Sequence, residues 1–184
     1  MIRDEALSLL DTHIHADNLK NHCLATEAIM RELASRLGQD QQLWGIVGLL
    51  HDLDFEYTRD NPAAHGLKTV ELLAPYSLSE ETHNAILRHN AEALGMVRET
   101  TLDYALTCAE TITGLIVAAA LVHPDKQIRS LKTSSVRKRM KSKDFARNVN
   151  REHILLCEQI DIPLTDFIEL SIGAMRSISD QLGL

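Results

Sequence analysis

Apolar residues recur at helical spacing along nearly the whole of this 184-residue chain, and that periodicity restricts the fold more than any other feature does. Ala25, Ile29, Leu33 and Leu37 form one stripe, with Gly38 placed to stop the helix. Asp40 stands where it can cap a second helix that carries Leu43, Ile46, Val47 and Leu50. Leu53 to Pro62 is polar and reads as a loop, after which Pro62 opens a helix through Ala74 that Pro75 ends. Ser77 and Glu80 have capping-box spacing for another helix through His89. A long helix is expected from about Thr101 to Val122, and two more near Arg151 to Ile160 and Thr165 to Leu182. Only four prolines and eight glycines interrupt these patterns, and aromatic residues make up 4%, which disfavours a sandwich of short strands. The expectation is an all-α bundle of about six or seven main helices, one domain over residues 1–184 with no repeat or linker.

Several function classes fall away. The three cysteines, Cys23, Cys108 and Cys157, are far apart and odd in number, so a disulfide framework is not expected and a reducing compartment fits. The residues from Met1 to Leu10 carry acids and lack a signal peptide's apolar core. The longest apolar run, Ile112 to Val122, is about half of the ~20 residues a membrane span needs. A cytoplasmic protein without membrane contact is the expectation. The net charge of −7 is unevenly spread: Lys126 to Arg151 holds ten Lys or Arg against the single acid Asp144. A basic segment on an acidic body suggests a local anion site, and it argues against a general nucleic-acid surface.

Nine histidines is a high number for this length, and their placement carries chemistry. His51-Asp52 closes the apolar run Ile46-Val47-Gly48-Leu49-Leu50. A carboxylate beside an imidazole at the end of a buried stretch is costly without a compensating charge. A divalent cation supplies one, and this donor set suits Fe, Mn, Co, Ni or Zn, with Mg less favoured. For an isolated His-Asp pair, a helix C-terminus facing water would be the better explanation. This pair is not isolated: His22 precedes it, His65 and His89 follow, and Glu110 sits inside the longest helix with Thr107, Thr113 and Gly114 as same-face neighbours. Gly114 would let another backbone approach.

Four segments, Asn21-His22-Cys23-Leu24-Ala25-Thr26-Glu27-Ala28, Gly48-Leu49-Leu50-His51-Asp52-Leu53-Asp54, Ala109-Glu110-Thr111-Ile112-Thr113-Gly114-Leu115-Ile116-Val117 and the tail from Ser135 through Arg151, resemble in that order the HD-domain phosphohydrolase superfamily in its HDIG-like subgroup, whose pattern is H…HD…D. The resemblance implies an HD-type helical domain with His22, His51 and Asp52 as metal ligands and Asp52 able to bridge two ions. It places His65 and His89 as the extra ligands of a two-metal site. It makes Glu110 the last metal ligand, where the family normally has Asp, a departure that keeps open a catalytically weak or inactive metal- or nucleotide-binding regulatory module. The implied activity is hydrolysis of a nucleotide or other small phosphate ester by metal-activated hydroxide. Asp52 is then catalytic as well as a ligand, and Asp54 and Glu56 are placed to orient a ligand or water. Lys132, Arg137, Lys138 and Lys141 are candidates for substrate contact, since Lys and Arg hold phosphate well.

Other signals carry less. His13-Ile14-His15 copies the H-x-H of amidohydrolase barrels, but such a barrel needs about 200 residues or more. Cys108 reads as a buried thiol. His83, His123 and His153 have no partner visible in the sequence.

Overall fold

The computed structural model describes residues 1–184, and every regular element in it is a helix. Asp40 caps as expected, its carboxylate accepting from the amides of Gln42 and Leu43. Gly38 ends the preceding helix in the left-handed conformation, φ 66°. Helix α1 (Arg3–His13) precedes α2 (Asp17–Leu37), which begins a full turn before His22, and α3 (Gln41–Leu50) leads into His51-Asp52. After α4 (Phe55–Thr58) and a 3₁₀ turn at Pro62–Ala64 come α5 (Leu67–Leu73), α6 (Glu80–His89) and α7 (Ala91–Leu94). The long α8 (Thr101–Leu121) follows, then α9 (Thr133–Met140), α10 (Arg151–Leu155), α11 (Leu164–Ser177) and α12 (Ser179–Leu182).

The expected six or seven helices are too few: α1, α4, α7 and α9 are additional, α4 falling inside the Leu53–Pro62 stretch expected to be a loop, and three segments break where one helix was foreseen. Gly66 at φ 90° separates the Pro62–Ala64 turn from α5, and its amide donates to Asp54 instead of continuing a helix. Ile178 leaves the helical conformation and parts α11 from α12. Leu156–Ile160 tightens into a 3₁₀ helix after α10. The cap of α6 is Ser79, which accepts from the amide of Thr82, so the Ser77–Glu80 box does not form.

The two 21-residue helices, α2 and α8, are each about 31 Å long and make the centre of the bundle. α3 lies against α2, while α6, α10 and α9 surround α8 and α11 closes the far side. The apolar cluster runs from Ala6 to Leu182 and includes Ile29, Leu33, Leu106, Ile112 and Phe167. α8 is long and apolar enough to cross a membrane, yet 67% of its most apolar window is buried against the other helices. α3 approaches α2 closely because Gly48 has no side chain: a Cβ there would stand 2.9 Å from Met30 Cγ and 3.0 Å from the Thr26 carbonyl oxygen. Arg3 clamps α1 to α2 through a two-pronged pair with the buried Glu27, at 2.6 and 2.8 Å. At Gly114 the near neighbour is the Val149 side chain, 3.2 Å from a would-be Cβ, where another backbone had been expected.

Candidate metal centre

Three helices and one break between helices deliver the site. The second turn of α2 carries His22, the end of α3 carries His51 and Asp52, the break before α5 carries His65, and the last residue of α6 is His89. Their side chains converge on one buried carboxylate. Asp52 Oδ1 lies 3.4 Å from His51 Nε2, 3.2 Å from His65 Nε2 and 3.4 Å from His89 Nε2. Asp52 Oδ2 lies 3.6 Å from His22 Nε2. The imidazoles also approach one another in pairs: His22 and His51 at 3.2 Å, His65 and His89 at 2.9 Å, Nε2 to Nε2. The donors thus fall into two triads, His22–His51–Asp52 and Asp52–His65–His89, each with its ligand atoms within 4.8 Å of one another.

Every ring is held by its other nitrogen. His51 Nδ1 donates to the Gly48 carbonyl at 2.8 Å, and His89 Nδ1 donates to the Ile86 carbonyl. His65 Nδ1 donates to Asp54 at 2.7 Å. His22 Nδ1 faces Thr113 Oγ1 at 2.9 Å, and because that hydroxyl donates to the Glu110 carbonyl, it accepts from His22. A carbonyl or carboxylate can only accept, so these bonds put each neutral ring's proton on Nδ1 and leave Nε2 as a bare lone pair. Four nitrogen lone pairs then surround two carboxylate oxygens with no donor among them. Such a cluster requires positive charge at its centre, as protons or as metal ions. Imidazole nitrogens with a shared carboxylate are a fitting donor set for one or two divalent transition-metal ions.

The electrostatics of the metal-free cluster show the same demand. Burial pushes His51 down to about 3, against the pull of Asp52. Burial also works against the charge on His65, but hydrogen bonds to Asp52 and Asp54 prevail and lift it to about 10. Burial would raise Asp52, yet His51 beside it and hydrogen bonds from His65 and His89 hold it well below the usual carboxylate range.

The remaining expected residues take different places. Asp54 is fully buried and does not line the cavity at the cluster: it accepts from His65 Nδ1, Gly66 N and Thr69 N. It is a positioning residue for His65, not a catalytic one. Glu56 is turned away, accepting from the amides of His15 and Ala16 ahead of α2 at 3.0 and 2.8 Å; it ties a loop and does not reach the cluster. Glu110 lines the same cavity as His22, Asp52, His65 and His89 but belongs to neither triad. Its carboxylate accepts from the Thr111 hydroxyl, and burial raises its pKa. None of Lys132, Arg137, Lys138 and Lys141 lines that cavity of about 480 Å³. Arg137 and Lys141 border a separate groove with Lys143, Arg147 and Arg151.

Several residues at the cavity were not foreseen, among them Phe55, Asn18 and Glu92. His153, which the sequence left without a partner, meets Glu92 at 3.0 Å across the cavity wall. Arg59 and Asn90 also line it. No spacing rule links His153 to His89, because the fold alone brings α10 over the end of α6. His123 pairs with Asp125 at 2.6 Å, remote from the cavity.

An all-helical bundle with a His-Asp pair at its heart and three further histidines around it defines a helical domain whose side chains can hold divalent metal. The chain belongs to the HD-domain family, whose family model matches residues 19–121, a span that covers every residue of both triads. Members of this family are generally metal-dependent hydrolases. No curated protein and no solved structure matches the chain.

Proposed function

We propose that this chain is a phosphohydrolase that cleaves a small phosphate ester, such as a nucleotide, with divalent metal held by both triads. The observation that carries the reading is the position of Asp52, whose carboxylate lies within 3.2–3.6 Å of both histidine pairs, Oδ1 facing His51, His65 and His89 and Oδ2 facing His22. Divalent ions in such a site supply a hydroxide nucleophile at neutral pH and offset the charge that builds on the phosphoryl oxygens.

The residues divide the remaining work. His22 and His51 hold one side of the site, and His65 and His89 the other, with Asp52 between them. Gly48, Ile86, Asp54 and Thr113 fix the ring orientations through the four Nδ1 bonds. Glu110 and His153 face the same cavity from α8 and α10, where they can meet the ester or its leaving group. The cavity is open on one side and polar, which suits a small charged substrate.

The test is metal analysis of the purified protein, paired with a screen of phosphomonoesters, phosphodiesters and nucleotides. Hydrolysis that depends on bound metal and vanishes in Asp52→Ala, with helical content retained, is the expected result. A metal-free protein, or a variant with undiminished turnover, would exclude the reading.

A further inference from the structure

The one-turn helix α4 follows directly on the His51-Asp52-Leu53-Asp54 run; its Tyr57 bonds His13, whereas the Arg59 side chain just past its end makes no hydrogen bond or salt bridge to the fold. Thr58 points inward and Glu56 turns to the loop before α2. Phe55 and Arg59, four residues apart and therefore stacked on one face, both line the metal cavity. Phe55 is 38% exposed, although a phenyl ring is normally buried in a chain with so few aromatics. It stands edge-on to His65, ring centroids 5.6 Å apart at 87°, so its position is fixed while a flank stays open to the cavity. Among the cavity-lining residues it supplies the only phenyl, phenol or indole ring.

Arg59 is the single Lys or Arg on the cavity wall. Its guanidinium is exposed. Arg88 and Arg98, the other arginines on this side of the molecule, are both committed to carboxylates at 2.5–2.9 Å. Arg59 takes part in no salt bridge. The carboxylate that senses it, Glu56, is already held by two backbone amides. Asn90 adds a fixed polar group opposite: its amide nitrogen donates to the Pro62 and His65 carbonyls, which leaves its oxygen as an acceptor.

We infer that Phe55 and Arg59 form a recognition platform on which the substrate's organic portion stacks as a planar ring while an anionic oxygen meets the guanidinium. The selected substrates are then phosphate esters that carry a heteroaromatic base. Stacking on an open aromatic face contributes affinity with little dependence on which base is present, and an unpaired guanidinium is suited to a phosphate oxygen. The inference rests on the phosphate-ester reading of the metal centre and names the part of the ligand that the metal does not touch.

Direct binding tests it independently of turnover. Dissociation constants of the four common nucleoside 5′-monophosphates and of ribose 5-phosphate, each as its non-hydrolysable phosphonate analogue, are measured by calorimetry on the metal-supplemented protein, together with its metal content. The expected result is at least one nucleotide bound about tenfold more tightly than ribose 5-phosphate. Phe55→Leu should abolish that preference with metal content unchanged, Phe55→Trp should keep it, and Arg59→Ala should weaken all of these ligands alike. A phenyl ring that merely props His65 would instead alter metal content and leave the preference intact. Equal affinities in the wild type, absence of measurable binding, or a preference that survives Phe55→Leu would overturn the platform. Failure of the metal-centre reading looks different: the wild type would then bind no metal.

Discussion

The Asp54 carboxylate and His65 Nδ1 stand 2.7 Å apart, and the bond between them decides which nitrogen of His65 faces Asp52. The same carboxylate accepts from Gly66 N at 2.7 Å and Thr69 N at 2.9 Å. One buried acid therefore shapes the break before α5 and aims a metal-facing imidazole. In Asp54→Asn one oxygen becomes an NH₂ that meets donors, so a bond is lost and a repulsion introduced. A stability loss of about 2 kcal/mol is expected, with metal affinity lower by about tenfold or more. Urea unfolding and metal titration of the variant check both figures.

Two triads that share one carboxylate predict how many ions each substitution removes. His51→Ala disrupts His22–His51–Asp52 alone, and His89→Ala disrupts Asp52–His65–His89 alone. Each variant should retain one ion of the two, whereas Asp52→Ala should retain none. Elemental analysis after exhaustive dialysis gives these stoichiometries. Identical metal content in His51→Ala and Asp52→Ala would show that the triads are not separate sites.

Much of this centre is legible in the sequence, and the illegible part has a physical pattern. His51-Asp52 stands out because it ends an apolar run, and α8 because its period is unbroken for about six turns. Asp40 and Gly38 signal their helix ends through local backbone chemistry that needs no tertiary context. Asp54 and Glu56 looked alike as acids after the HD pair, yet one is sealed beneath His65 and the other caps a loop 40 residues earlier in the chain. Only the packing of α4 separates them. His153 and Arg59 were missed for the same reason, since each reaches the cavity through contacts distant in sequence. The break at His65–Gly66 follows from amides recruited by Asp54, which overrides a helical apolar pattern.

The metal-free protein should be most stable near pH 6.5 as far as these histidines decide it. His65 is raised from 6.5 to about 10, so its contribution is complete below pH 6.5 and is lost as pH rises towards 10. His51 is lowered from 6.5 to about 3, so its contribution is complete above pH 6.5 and is lost as pH falls towards 3. A bound ion must displace the proton on His65, so binding should release protons and strengthen with rising pH. Urea midpoints in chelator across pH 4–10 test the first statement. Calorimetry of metal binding in two buffers of different ionisation enthalpy tests the second, and equal heats in both would contradict it.

Gly48 joins a close contact between α2 and α3 to the chemistry of the centre. A Cβ at this position would meet Met30 Cγ at 2.9 Å, the Thr26 carbonyl oxygen at 3.0 Å and Glu27 Cα at 3.1 Å. Met30 has a flexible side chain that can move, but the other two contacts are backbone of α2, so α3 itself must shift. The Gly48 carbonyl accepts from His51 Nδ1, and the shift is passed directly to that ring. Gly48→Ala should therefore cost about 1–3 kcal/mol through overpacking, although alanine is the better helix former by about 1 kcal/mol. It should also weaken the ion held by His22, His51 and Asp52 more than the ion held by Asp52, His65 and His89. Unfolding in chelator isolates the packing cost, and stepwise metal titration separates the two ions. A variant as stable as the wild type, with both affinities unchanged, would show that α2 and α3 can part without disturbing the centre.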